Sequence, residues 1–310
     1  FIESNECDDD LFNQFIKNLK INEIQSNKEE FDNFIQLIIN ICNNHQRSTG
    51  FFDKIKRILR FFGDDITKNF SNLEILQLFE SNKFLLLFLI KEKMLIYDEY
   101  VNKFIENKAG KDDVRYFHFF FPEIIEFKSN ESNSQKKYED ELKTIDEYEE
   151  KRQIGENDSY ICTLIRQDSI EEFIKYVNQK NFLLTSKVNR SIFETNTFLI
   201  ENEPTLIEYA FFFGSIQIFQ YLKTNNVDLS PSLWLYAIHS KNAEMIYFLE
   251  TNSIQPPENT YETCIIEAIK CHHYDIAIYI KDNLLNDQNC SNKLKKRKIE
   301  SIYRYSNYSF

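Results

Sequence analysis

An alanine recurs in the same company three times along the second half of the chain, and this recurrence restricts the fold more than any other feature. Ala210 follows Thr205 by five residues and precedes Gly214, Ile218, Leu222 and Val227 by four, eight, twelve and seventeen. At the same offsets Ala237 has Ser232, Lys241, Met245, Leu249 and Ile254, and Ala268 has Thr263, His272, Ile276, Ile280 and Leu285. Steps of four trace one face of a helix and do not fit a strand. Weaker copies centre on Leu164, after Ser159, and on Leu78, with Asn82, Leu86, Ile90 and Leu95. The three alanines are spaced by 27 and 31 residues, and 46 residues separate Leu164 from Ala210. The long step accommodates an insertion, "SKVNRSIFETNTFLIENE".

Each copy reads as a helical hairpin. The Ser or Thr starts a first helix and offers an oxygen to a free backbone N–H. The alanine lets two helices approach closely, where leucine would overpack by about 1–3 kcal/mol. The residue four later ends the first helix, a role suited to Gly214. The second helix turns Ile218 and Leu222, or Met245 and Leu249, toward the core. "NNVDLS" then turns the chain into the next unit. A hairpin of about 30 residues cannot bury both faces alone, so it must stack on a neighbour.

These residues carry a resemblance. Thr205-Leu206-Ile207-Glu208-Tyr209-Ala210 resembles the ankyrin signature T-P-L-H-x-A, and Asn226-Val227-Asp228-Leu229-Ser230 resembles the ankyrin tail G-A-D-V-N. Residues 158–285 are similar to divergent ankyrin-type proteins that are expanded in some protists. Leu206 and Glu208 replace the signature proline and histidine, Trp234 stands where leucine is usual, and Pro256-Pro257 enters a turn. The resemblance implies an all-α protein, an α-solenoid of ankyrin-like helix-turn-helix repeats over 158–290, with further helices N-terminal to it.

Residues 1–127 read as a helical region, either degenerate repeats of the same solenoid or a separate fold: "LFNQFIKNLK", "EEFDNFIQLIINICNN" and "FFDKIKRILRFF" space their apolar residues by three and four. "YFHFFFPEIIEF" reads as a buried segment broken at Pro122. Residues 128–157 read as a polar linker followed by a charged, solvated helix from about Tyr138 to Arg152. Its apolar stripe would be Tyr138, Leu142, Ile145 and Tyr148. Residues 291–310 form a basic tail or cap that contains "KLKKRK", with five positive charges in six residues.

Five glycines and five prolines are too few for the turns of a β-sandwich or barrel. They also leave no glycine-rich phosphate loop. A net charge of −12 opposes phosphate-rich partners. The longest strongly apolar run, Phe84 to Ile90, is far short of a membrane span. Six scattered cysteines without a CxxC fit reduced thiols in an intracellular compartment, cytoplasm or nucleus. "CHH" at 271–273 is the one Cys/His cluster, and adjacent helical residues diverge too far to share an ion. His118 and His239 read as packing residues in apolar surroundings, and Cys42 with His45 lacks a third orienting group. We therefore expect no catalytic residue, cofactor, metal or small-molecule substrate.

The expected function is non-catalytic capture of another protein. In ankyrin-like arrays the inner helices and turn tips line a concave binding surface. Carried over by position, Phe212 and Phe213, His239 and Ser240, and Lys270 and Cys271 become the exposed ends of the first helices, and Asp228 lies on the turn edge with Glu201, Asn202 and Glu262. Two other roles stay open: the substrate-recognition arm of an enzyme complex, and a nuclear adaptor that uses the basic tail.

Overall fold

A computed structural model describes residues 9–21, 24–44, 50–111, 114–131, 145–285 and 300. The described residues hold nineteen α-helices and no strand; the one β-type pairing is an isolated bridge between Lys187 and Thr205. Two compact units divide the chain. One comprises Phe1–Asn43, Arg47–Glu156 and Ser191–Thr195; the other comprises Asn44–Gln46, Asn157–Arg190 and Asn196–Phe310.

The described residues of the first unit form ten helices: α1 (Asp9–Ile21), α2 (Lys28–Asn44), α3 (Phe51–Phe61), α4 (Gly63–Asn69), α5 (Asn72–Phe79), α6 (Lys83–Lys91), α7 (Glu99–Lys111), α8 (Val114–Phe119), α9 (Phe121–Glu131) and α10 (Ile145–Ile154). Amphipathic spacing sets their buried faces. On α2, Phe31, Ile35, Ile38, Ile39 and Cys42 are all sealed from solvent. Phe31 stacks on Phe70 with ring centroids 5.8 Å apart. The segment 116–127 buries Tyr116, Phe119, Phe120, Ile124 and Ile125. Its break falls at Phe120, and Pro122 sits in the first turn of α9, where a missing N–H is harmless. His118 is exposed rather than packed in apolar surroundings.

Helix α10 is less solvated than its composition predicts. Arg152 is fully buried, donating to the Phe119 carbonyl (2.9 Å) and, through both terminal nitrogens, to Glu123 (2.6 and 2.9 Å). The expected stripe residues Tyr138 and Leu142 lie outside the described residues. The 186–203 insertion supplies this unit with Ser191–Thr195. Thr195 donates through both its amide and its hydroxyl to the Gly155 carbonyl, and Lys83 donates to the Ile192 carbonyl at 2.6 Å.

The second unit is built from four hairpins: α11 (Tyr160–Arg166) with α12 (Ile170–Lys180), α14 (Leu206–Phe213) with α15 (Ile216–Thr224), α16 (Leu233–Ser240) with α17 (Ala243–Thr251), and α18 (Glu262–Lys270) with α19 (Tyr274–Asn283). The insertion adds α13 (Thr197–Asn202). First helices pack on one another in series, α11 on α14, α14 on α16 and α16 on α18. Ala210, Ala237 and Ala268 face these contacts with no exposed surface.

Every first helix ends on a left-handed residue four after the template origin: Asp168 (φ 49), Gly214 (φ 68), Lys241 (φ 52) and His272 (φ 58). The next amide then folds back onto the origin's carbonyl, Ser169 to Leu164, Ser215 to Ala210 and His273 to Ala268. In the third hairpin a side chain takes over: the Ser240 hydroxyl donates to the Ala237 carbonyl (2.7 Å) and accepts from the Asn242 amide (3.1 Å).

Capping by the Ser or Thr five residues earlier holds in one case. Thr205 forms a complete capping box with Glu208. Ser159 and Ser232 precede their helices without such a bond, and α18 starts one residue before Thr263. Glu208 explains Ser232, whose hydroxyl donates to that carboxylate across to the preceding hairpin. The copy at Leu78 departs further. Helices α5 and α6 do form a hairpin, but Asn82 is extended (φ −128), and its side chain accepts from the Leu85 amide as an N-cap. Leu78 is only half-buried, so the close-packing position of the other copies is lost.

Candidate functional site

The side chains assigned to a partner surface are mostly inside the second unit. Phe212, His239, Ser240 and Cys271 are buried, Phe213 and Lys270 are half-buried, and only Asp228 is exposed. The insertion is the physical reason. Phe198 of α13 lies across this end of the first helices, 6.1 Å from the Phe212 ring and 4.0 Å from the His239 ring. Glu201 and Asn202, at the end of α13, are exposed, and Glu262 is half-buried. The position-by-position transfer assumed an uncovered face.

Under that cover three ligand-type side chains converge. His239 comes from the last turn of α16, and Glu267 and Cys271 come from α18 and its C-cap, four residues apart on one face. Glu267 Oε1 lies 2.8 Å from His239 Nε2. Cys271 Sγ lies 3.4 Å from His239 Nδ1 and 3.6 Å from Nε2. Being nearly equidistant from both nitrogens, the sulfur cannot lie along either one's in-plane bonding direction. Lys270 Nζ approaches the same Glu267 oxygen at 3.3 Å. His239 and Cys271 are fully buried, and the Glu267 side chain retains 13 % exposure.

Burial sets the protonation of His239 and Cys271. It lowers the His239 pKa, outweighing the opposing pull of the Glu267 carboxylate. It pushes the Cys271 thiol well above its ordinary value. Burial also pushes Glu267 upward, but hydrogen bonds from His239 and the Lys270 charge together hold it below the usual value. At neutral pH the group is a neutral imidazole donating Nε2–H to a carboxylate, beside a protonated thiol. A protonated, sealed sulfur is a poor nucleophile, so this constellation does not resemble an activated Cys–His pair.

The second unit contains a different kind of feature on its outer side. Tyr247 of α17 is 69 % exposed and Ile278 of α19 is 47 % exposed. Both stand ten residues after their template alanines. The equivalent positions in the first two hairpins hold Ile174, half-buried, and Gln220, exposed. Tyr279 donates to Glu250 Oε2 at 3.0 Å, tying α19 to α17 beside these residues.

In the first unit, a cavity of about 380 Å³ is lined by Tyr97, Phe127, Leu95 and Glu123 among others. Its best-placed carboxylate, Glu123, is already engaged by Arg152. The proposed Cys42 and His45 pairing and the "KLKKRK" segment involve positions outside the described residues; Cys42 itself is buried.

Glu267 is the member of the buried trio that the sequence reading missed. A usable signal was present. Overlaying the copies puts His239 two after its alanine and Cys271 three after its own, with Glu267 one before, on adjacent first helices. No helix among the described residues is long and apolar enough to cross a membrane. No family model, curated protein or solved structure matches the chain.

Proposed function

We propose that residues 157–285 are a non-catalytic protein-binding platform, an array of ankyrin-like hairpins that presents its outer helices to another protein. One observation carries this reading. In the outward column ten residues after each template origin, the last two hairpins carry exposed apolar side chains, Tyr247 and Ile278, over a buried apolar interior. Exposed aromatic and aliphatic side chains on adjacent, well-supported helices are the usual anchors of protein interfaces. The inner ends of the first helices, covered by Phe198, are left out of the contact surface.

The test replaces the anchors and leaves the fold alone. Tyr247→Ser with Ile278→Ser should abolish capture of the partner from a native extract, with Tm unchanged. A photocrosslinking residue at position 247 should give discrete protein adducts, and one at Gln220 should give none. Retained capture by the folded double variant, with adducts absent at 247, would remove this assignment.

A further inference from the structure

We propose that His239, Glu267 and Cys271 form a binding site for a borderline-soft divalent metal ion of the zinc(II) class. This site is separate from the proposed protein-binding face and does not depend on it. The three ligand atoms lie within 4.8 Å of one another and come from two helices that pack directly on each other. An imidazole nitrogen, a thiolate and a carboxylate oxygen are ligands that zinc(II) accepts, at about 2.0–2.3 Å each. Tetrahedral bonds of that length place neighbouring ligand atoms about 3.3–3.6 Å apart. The 2.8 Å gap from Nε2 to Glu267 has to open by about half an ångström, and the imidazole has to turn so that Nε2 faces the sulfur, which now lies 3.4 Å from Nδ1 and 3.6 Å from Nε2.

Charge favours the same class of ion. A thiolate and a carboxylate together neutralise a divalent cation, so the buried complex has no net charge. Magnesium or calcium would want an all-oxygen set, and a sulfur with a single carboxylate does not supply one. The step balances without redox chemistry. The ion replaces the proton on Cys271 Sγ, the proton on His239 moves to Nδ1 so that Nε2 coordinates, and one proton leaves to solvent. Lys270, half-buried, gives up its contact with Glu267 Oε1. The fourth position opens toward the side where Glu267 meets solvent, and a water molecule fills it.

The full chain, stripped with a chelator, is titrated with cobalt(II) alone and then with zinc(II). The expected result is one equivalent of cobalt(II) with a sulfur-to-metal charge-transfer band, displaced by zinc(II), and a Tm raised by zinc(II). Cys271→Ser should lose the band, and Cys264→Ser, a neighbouring buried cysteine, should keep it. Glu267→Gln should weaken binding at least tenfold. X-ray absorption of the zinc-loaded wild type should give one sulfur in the first shell, a readout that needs no variant to fold. No charge-transfer band in the wild type, a band that survives in Cys271→Ser, or a first shell with no sulfur or with several would each overturn the proposal.

Discussion

His273 shows how one residue takes a role that its neighbours in sequence do not predict. It follows the left-handed His272 and is almost fully buried, with Nδ1 2.8 Å from the Ile238 carbonyl. A carbonyl only accepts, so Nδ1 bears the proton. Burial lowers its pKa to about 4, against the backbone bond, with Lys241 and His239 adding to the fall. The unfolded chain therefore binds a proton from about pH 6.5 downward that the folded chain refuses. The stability due to neutral His273 is complete above pH 6.5 and is lost as pH falls toward 4. The loss between pH 7 and 4.5 should be roughly 2–3 kcal/mol in urea unfolding. His273→Asn, which can still donate to Ile238, should flatten that part of the profile; an unchanged slope would show that other groups set it.

The left-handed cap gives a second residue-scale prediction of opposite sign at equivalent positions. At Gly214 an added Cβ would meet Asn242 Nδ2 at 3.0 Å, in a conformation side chains rarely adopt. Gly214→Ala should lose about 1–2 kcal/mol. Lys241 holds the same conformation while bearing a side chain. Lys241→Gly relieves about 1–2 kcal/mol of strain but adds about 0.5–1 kcal/mol of unfolded-state entropy, so a net gain of about 0.5 kcal/mol should appear in thermal melts.

At the scale of elements, the first helices are too short to stand alone. Seven to nine residues fall below the length at which an isolated helix persists in water, so caps and packing decide. The Thr205–Glu208 capping box satisfies orphan donors of α14 at two points. Thr205→Ala should destabilise the chain by about 1 kcal/mol, and Thr205→Ser by much less. Ala237→Leu should lose about 1–3 kcal/mol, because α14 and α18 close on α16 from both sides. These features were largely legible beforehand. The alanines, the apolar positions at eight and twelve, and the helix-ending residue at four all lie within one short window. The missing caps at Ser159, Ser232 and Thr263 were not legible, because a hydroxyl's partner depends on what the fold brings near it.

At the scale of the whole molecule, neighbouring hairpins are joined by polar bonds as well as by the shared apolar interior. Asp168, at the turn of the first hairpin, accepts from the Gln217 and Ile218 amides, both at 3.0 Å, and so caps the second helix of the next. The Ser215 hydroxyl donates to the Ile165 carbonyl at 2.5 Å. His273 makes the same kind of bond to Ile238, from the equivalent position two hairpins on. Asp168→Gly keeps the left-handed backbone and removes the acceptors. It should lose about 1 kcal/mol or more and speed hydrogen exchange at the first turn of α15, whereas Asp168→Asn, which keeps one of the two acceptor oxygens, should do so only in part. Unchanged exchange in the glycine variant would show that the Asp168 bonds do not couple the hairpins.

The sequence by itself determined the helices, the hairpin spacing and the buried alanines, because each follows from local periodicity and from residues a few positions apart. Tertiary structure alone decided that the insertion shields Phe212 and His239, and that His239, Glu267 and Cys271 meet. Those contacts join residues that are distant in the chain, and their distances depend on how neighbouring helices stack rather than on any spacing along the sequence.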